Sequence, residues 1–172
     1  MKRDIPQRRY WLIKSEGDCY SIDDLKRDKK TGWSGIRNYQ ARNFMRDDMH
    51  VGDLVLFYHS TSEPTGIYGV AKVASQPRLD QTSVDSKDEH FDPSAVKREK
   101  EIVEGKRPKH DHLWIMVDMQ FVKKFDKPIS LQEMKIDSFL EGMPVLKRGM
   151  RLSVQPVSEK HFNHIQKIAS AD

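Results

Sequence analysis

The chain of 172 residues has a single cysteine, Cys19, so it can form neither an intrachain disulfide nor a cysteine-based zinc site. Cys19 lies in a turn-like GDCYS stretch with no histidine near it in sequence, and it reads as a buried or half-buried thiol with no catalytic part. Long apolar runs are also missing. With 33% of residues charged, no stretch approaches the ~18 consecutive apolar residues of a membrane helix, which excludes a membrane protein. The basic start MKRDIPQRRY passes directly into YWLIK, without the apolar core and small-residue cleavage site of a signal peptide. The expected location is cytoplasmic, or nuclear if the source is eukaryotic; KREK and GKRPKH are too weak as nuclear signals to alter that. The common catalytic signatures are lacking as well: there is no P-loop, no G-x-G-x-x-G after a strand, no G-x-S-x-G and no H-E-x-x-H. His110, Asp111 and His112, with distant His90, lie in a polar stretch without a thiolate and read as solvated residues. No metal and no cofactor is expected.

What remains is a chain of single-domain length, without internal repeats, low-complexity linkers or composition breaks. The division expected is an N-terminal tail over 1–9, one domain over 10–169 and a C-terminal tail over 170–172, monomeric by default. A net charge of +4 is a mild pull toward an anionic partner.

Tyr10 to Lys14 (YWLIK) reads as a strand, and Ser21 with Asp24 has the capping-box spacing of a helix start. Gly32 and Gly35 punctuate the next stretch, and Asn38 can cap a second helix with Ala41, Phe44 and Met45 on its apolar side and Arg42 and Arg46 on another. LVLFYHS is too apolar for a surface edge and should be a central strand. A hairpin-like TSEPTG leads to IYGVAKV, where Ile67, Gly69, Ala71 and Val73 would share one face; Gly66 and Gly69 permit a bulge or a close backbone approach. Residues 78–111 read as an exposed, mixed-charge segment. Leu113, Ile115, Val117 and Met119 alternate with more polar neighbours, which marks a strand. Ser130 with Glu133 starts another short helix, a broken helical connector follows, and RLSVQPV is a strand expected to stop at Pro156. Ser158 caps a last helix that buries Phe162, Ile165 and Ile168. The order lacks regular βαβ alternation, so the expected class is α+β: a mixed, curled sheet or small barrel of about five or six strands with short peripheral helices.

Polar groups recur at strand ends: Lys14, Ser15 and Glu16 after the first, Tyr58, His59 and Ser60 after the central one, and Arg151, Ser153 and Gln155 on the last. In a barrel these can converge on one mouth with Trp33, Asn38, Tyr39 and Gln40. An aromatic face there would stack on a base while amides and hydroxyls read its edge. Spacing alone favours the plainer alternative, in which Trp33 and Tyr39 are core anchors and Gln155 satisfies backbone.

YWLIKSE, WSGIRNYQARNFMRDDMHVGDLVLFYHS, PTGIYGVAKV, the FDP at Phe91 to Pro93, the W-x-x-V-D at Trp114 to Asp118 and LSVQPVS, taken in order, closely resemble the EVE domain family. The resemblance runs from about Tyr10 to the last helix. It implies a PUA-like β-barrel whose pocket suits a modified nucleobase in DNA or RNA, such as a 5-modified cytosine. The base-pocket positions it implies are Ser15, Trp33, Asn38, Tyr39, Gln40, Tyr58, His59, Ser60, Arg151, Ser153 and Gln155, with Lys14, Arg37 and Arg42 as phosphate-binding candidates. The chain departs from the pattern at Gly17, where the family commonly has proline.

The expected function is therefore a non-catalytic nucleic-acid-binding domain. Two alternatives stand beside it: a nucleoside amidohydrolase using Lys14 and Glu16 as a base and acid pair, and an interaction or RNA-binding module without selectivity for the modification.

Overall fold

Alternating apolar residues do build strands, and in the computed structural model, which describes residues 7–171, seven of them join into one mixed sheet. Residues 1–6 of the expected N-terminal tail and Asp172 of the C-terminal tail lie outside the described residues. The strands are β1 (Tyr10–Ser15), β2 (Lys30–Trp33), β3 (Leu54–His59), β4 (Gly66–Val73), β5 (Arg78–Leu79), β6 (Ile115–Ser130) and β7 (Val154–Val157). Their order is β2-β6-β4-β3-β1-β7, with β5 added to β6. β1 and β3 run parallel, Lys14 lying opposite Tyr58, and the other neighbours are antiparallel.

The helices are α1 (Ile22–Asp28), α2 (Tyr39–Asn43), α3 (Pro93–Val103), α4 (Leu131–Ile136) and α5 (Glu159–Ala169). Local chemistry sets where they begin. The Ser21 and Ser130 hydroxyls accept from the amides of Asp24 and Glu133, whose carboxylates reach back to the capping backbone, so both capping boxes form. Asn38 and Ser158 cap α2 and α5. After α2 the chain continues through a π turn, Phe44–Asp48, that buries Met45.

Each face of the sheet covers its own core. Trp11, Ile13, Trp33, Val55, Phe57, Val117 and Val154 lie in one cluster with Ala41 and Met45 of the α2 segment. Leu12, Leu56, Tyr58, Phe125 and Val157 lie in the other, beneath Met134 of α4 and Phe162 and Ile165 of α5. Residues of β2 and β7, the two ends of the strand order, sit in the same first cluster, so the sheet curls around it and the α2 segment closes the gap. This is the α+β barrel expected, with seven strands in place of five or six.

Four details differ from the sequence reading. β2 is a strand although Gly32 suggests punctuation; its exposed start and one buried residue, Trp33, give no period-2 signal. β6 continues to Ser130. β7 runs through Pro156, which sits opposite Trp11; as the last strand in the order β7 pairs with β1 alone, and there a missing N–H is tolerated. In β4 the register shifts between Ile67 and Gly69 and between Val70 and Ala71. The face therefore switches, sending Ile67 and Val70 to one cluster and Ala71 and Val73 to the other. The close approach expected at Gly66 and Gly69 is present: a Cβ on either would overlap a carbonyl of β6, that of Ile129 or of Lys123.

Candidate functional site

At one end of the curled sheet lies a solvent-open cavity of about 690 Å³. Its walls come from the end of β1 (Lys14, Ser15), the Glu16–Tyr20 turn, β2 with the segment to Asn38, the loop carrying Glu89 and His90, and Ser153 just before β7.

Trp33 lines this cavity but is only 8% exposed. Its indole is held edge-on by Tyr20, at 6.2 Å between ring centres, and by Phe57 at 5.6 Å. It is a core anchor that also supplies a sliver of the cavity wall. Asn38 is more available. Its Oδ1 accepts the Ala41 amide at 3.0 Å as the α2 cap, and its amide nitrogen has no partner among the described residues. The Ser15 hydroxyl donates to the Tyr20 carbonyl, and the Ser15 carbonyl accepts from the Ser60 amide.

Lys14 donates through Nζ to the Met150 carbonyl at 2.7 Å, and burial draws its ammonium pKa down. Glu16, the partner it would need for acid-base work, accepts instead from the Cys19 thiol at 3.4 Å. Cys19 is therefore neither buried nor half-buried: it is exposed and lines the cavity, and the Glu16 carboxylate pushes its thiol pKa up, away from reactivity. Gly17, the departure from the family pattern, lies where a Cβ would overlap Ser62 Oγ and come within 2.9 Å of His59 Nδ1, so any side chain there requires Ser62 to turn away.

Arg37 lines the cavity but is committed to the fold. Its guanidinium meets Asp80 Oδ2 at 2.8 Å, Thr82 Oγ1 at 3.0 Å and the His90 carbonyl through both Nε and Nη2, at 2.9 and 2.8 Å. Asp80 is fully buried. Burial alone would raise its pKa, but Arg37, the Gly35 amide and Thr82 together hold the carboxyl below its usual range. This pair pins the His90 loop to the β2–α2 segment. Arg37 is thus corrected from phosphate ligand to loop anchor.

Several expected pocket residues lie elsewhere. Tyr39 is 58% exposed and stacks on Trp114 at 4.9 Å, outside the cavity. Gln40, exposed in the same turn of α2, is outside it too. Arg42 is buried against Tyr39 and Trp114 and donates to the Leu113 carbonyl and to Asn43 Oδ1, so it is not free for a phosphate. Tyr58 belongs to the second core. His59 is buried, and its Nε2 accepts the Ile22 amide at 3.0 Å, making it a support for α1. Ser60 bonds the Ser15 carbonyl behind the cavity. Gln155 is buried opposite Leu12 and donates to the Leu152 carbonyl. Arg151 is exposed two residues from cavity-lining Ser153 and has no partner among the described residues. Tyr58 pairs directly with cavity-lining Lys14, but its ring packs into the second core, and the Gln155 amide is buried and turned to the Leu152 carbonyl.

Of the polar residues read as solvated, His112 bonds Glu99, and Asp111 pairs with Arg107 and Arg98. Sequence reasoning missed Tyr20, Ser34, Gly35, Glu89 and His90. The last two carry no local signal, because the contacts that bring them to the cavity span more than 50 residues.

The EVE domain matches this chain over residues 9–168. Thymocyte nuclear protein 1 of Danio rerio is 36% identical over 185 residues, spanning 97% of this chain and 74% of that protein. A hypothetical protein from Leishmania major has a solved structure 40% identical in sequence, with a TM-score of 0.81 over 94% of each chain. Human thymocyte nuclear protein 1, crystallised in complex with 5-methylcytosine-containing DNA, is 32% identical with a TM-score of 0.79, covering 95% of this chain and 99% of that one. By its sequence over nearly the whole length and by its seven-stranded mixed sheet, the chain belongs to the EVE domain family.

Proposed function

We propose that this chain is a non-catalytic nucleic-acid-binding domain that takes a modified base, such as a 5-modified cytosine, out of its strand and into the cavity between β1, β2 and the His90 loop. The observation that carries the reading is the cavity itself. An open concavity of about 690 Å³ brings together an indole, an amide nitrogen without a protein partner, hydroxyls and a lysine, at one end of a fold that the human relative uses in a complex with 5-methylcytosine-containing DNA.

Magnitudes shape the proposal. Flipping a base costs a few kcal/mol, and a full aromatic stack returns roughly 1 to 3 kcal/mol. Trp33 offers too little of its face for a full stack, so hydrogen bonds to the base edge carry more of the affinity than the sequence suggests. Phosphate contacts fall first to exposed Arg151, since Arg37 and Arg42 are occupied; Lys14, which already donates to the Met150 carbonyl, has only its remaining N–H groups to add. Because Lys14 and Glu16 are each bound elsewhere, nothing in their geometry favours acid-base chemistry between them. The working compartment is the one that holds the nucleic acid.

The test is a titration of the protein, by fluorescence anisotropy, with single-stranded and duplex DNA and RNA carrying cytosine, 5-methylcytosine or 5-hydroxymethylcytosine. Burying one methyl contributes ~0.8 kcal/mol, so about a fourfold preference for the methylated base is expected. A larger preference is expected for a polar mark that the site bonds. Equal, weak binding to every oligonucleotide, abolished by salt, would contradict the reading.

A further inference from the structure

The cavity wall that the sequence did not reveal carries His90, held at both its backbone and its ring. His90 is gripped at its carbonyl by two nitrogens of Arg37, itself anchored on buried Asp80. Its amide donates to Asp88 Oδ1 at 2.8 Å, and its ring Nδ1 lies 3.1 Å from that same oxygen. The His90 amide and ring together hold the Asp88 carboxyl below its ordinary pKa range, so the carboxylate stays an acceptor. The ring face packs on Gly35, where the backbone is at φ +80° and a Cβ would stand 3.0 Å from Nε2 and 3.2 Å from Cδ2 and Cε1. Both residues line the cavity, and the missing side chain at 35 is what lets the ring lie against this wall.

These bonds dictate what the ring presents. A carboxylate only accepts, so Nδ1 carries the hydrogen and donates it to Asp88; in the neutral ring Nε2 is then an acceptor. Nε2 has no protein partner among the described residues. Glu16 and Glu89, also in the cavity lining, add further acceptors. A ligand edge that meets this wall must bring N–H donors, as an exocyclic amine does.

We propose that His90, held by Asp88 and Arg37 and given room by Gly35, is a specificity-determining residue of the base cavity that accepts a hydrogen bond from the exocyclic amine of the bound base. The inference rests on the functional reading above and narrows it to amino-bearing bases. The matched probes are single-stranded oligonucleotides carrying one 5-methylcytosine or one 5-methylpyrimidin-2-one, which differ only by the amine. The wild-type protein is expected to bind the first about tenfold more tightly or better. His90→Phe keeps a flat ring against Gly35 and removes both nitrogens, and it should bring the ratio close to one. Asp88→Ala, which frees the ring without removing it, should lower the ratio to an intermediate value and serves if His90→Phe does not fold. A residue that merely holds the loop would weaken both affinities together and leave the ratio intact. A preserved ratio in the folded variants, or equal wild-type binding to the two probes, would overturn the assignment to His90. Wild-type protein that binds neither probe would instead overturn the functional reading, and the assignment with it.

Discussion

Asn38 shows how a single residue serves both the fold and the cavity, since its Oδ1 caps α2 while its amide nitrogen is left without a protein partner. The two roles separate by substitution. Asn38→Asp retains a good cap and should leave urea stability within about 0.5 kcal/mol of wild type, whereas Asn38→Ala should cost about 1 kcal/mol. In oligonucleotide titrations, Asn38→Asp should nonetheless lose affinity, because it trades donors for a carboxylate beside an anionic ligand. His59 makes the opposite point, as a strand-end residue that proves structural. Its Nε2 accepts from the Ile22 amide, its Nδ1 pairs with Ser62 Oγ, and its ring stacks on Tyr68 at 4.0 Å. Burial pulls its pKa below the ordinary histidine value, with Asp23 and Asp24 opposing and Lys124 assisting. A histidine whose folded pKa is depressed binds fewer protons folded than unfolded. The stability it confers is thus complete above the unfolded value, about 6.5, and is lost as the pH falls from there toward the folded value. Urea midpoints measured between pH 7.5 and 5 should fall, and the slope should be shallower in His59→Gln; it persists in part because burial also lowers the pKa of His161. An unchanged slope in that variant would remove His59 from the explanation. Trp33, Asn38, Ser15 and Lys14 were legible as cavity residues because they sit at strand ends or at a helix cap. His90 was not, since what places it is a grip from Arg37, 53 positions away.

Among the elements, short-range chemistry was the most readable. The capping boxes at Ser21 and Ser130 and the caps at Asn38 and Ser158 form as their spacing indicates, since each depends on atoms within three residues. Features that depend on a partner strand were less readable: Gly66 and Gly69 marked where β4 could bulge but not that it would change faces, and nothing marked the pairing that makes Lys30–Trp33 a strand or the edge position that lets β7 pass through Pro156. Residues 78–111 are largely exposed, as their mixed charge suggested, but Asp80 and Ser83 are fully buried and Asp92 holds the Trp114 indole at 2.7 Å, which fastens the loop that walls the cavity. The Arg37–Asp80 pair is the central fastener. Arg37→Ala leaves a buried carboxylate without its cation and should cost about 3 kcal/mol in urea unfolding. Arg37→Lys, which keeps the charge but not the planar fork, should recover only part of that loss. A change below about 0.5 kcal/mol in Arg37→Ala would show that the loop is held by other means.

Taken as a whole molecule, the chain has a net charge of +4, a mild attraction for an anionic strand. At the cavity, basic Lys14 and the nearby exposed Arg151 stand with acidic Glu16 and Glu89. The backbone of a bound strand should therefore run past Arg151, with the base directed inward toward Asn38 and His90. The curl of the sheet makes this possible: residues of β2 and β7, far apart in strand order, border a common core, and the cavity opens at one end between β2 and the segment before β7. Entry of the base into that opening is tested most directly by NMR on the protein bound to a short oligonucleotide containing 5-methylcytosine with a ¹³C-labelled methyl group. Intermolecular NOEs from that methyl to Trp33, Ser34 or Asn38 are predicted. A methyl that shows NOEs only to its own strand, or to Tyr39 and Gln40 on the outer face of α2, would contradict a base held in the cavity.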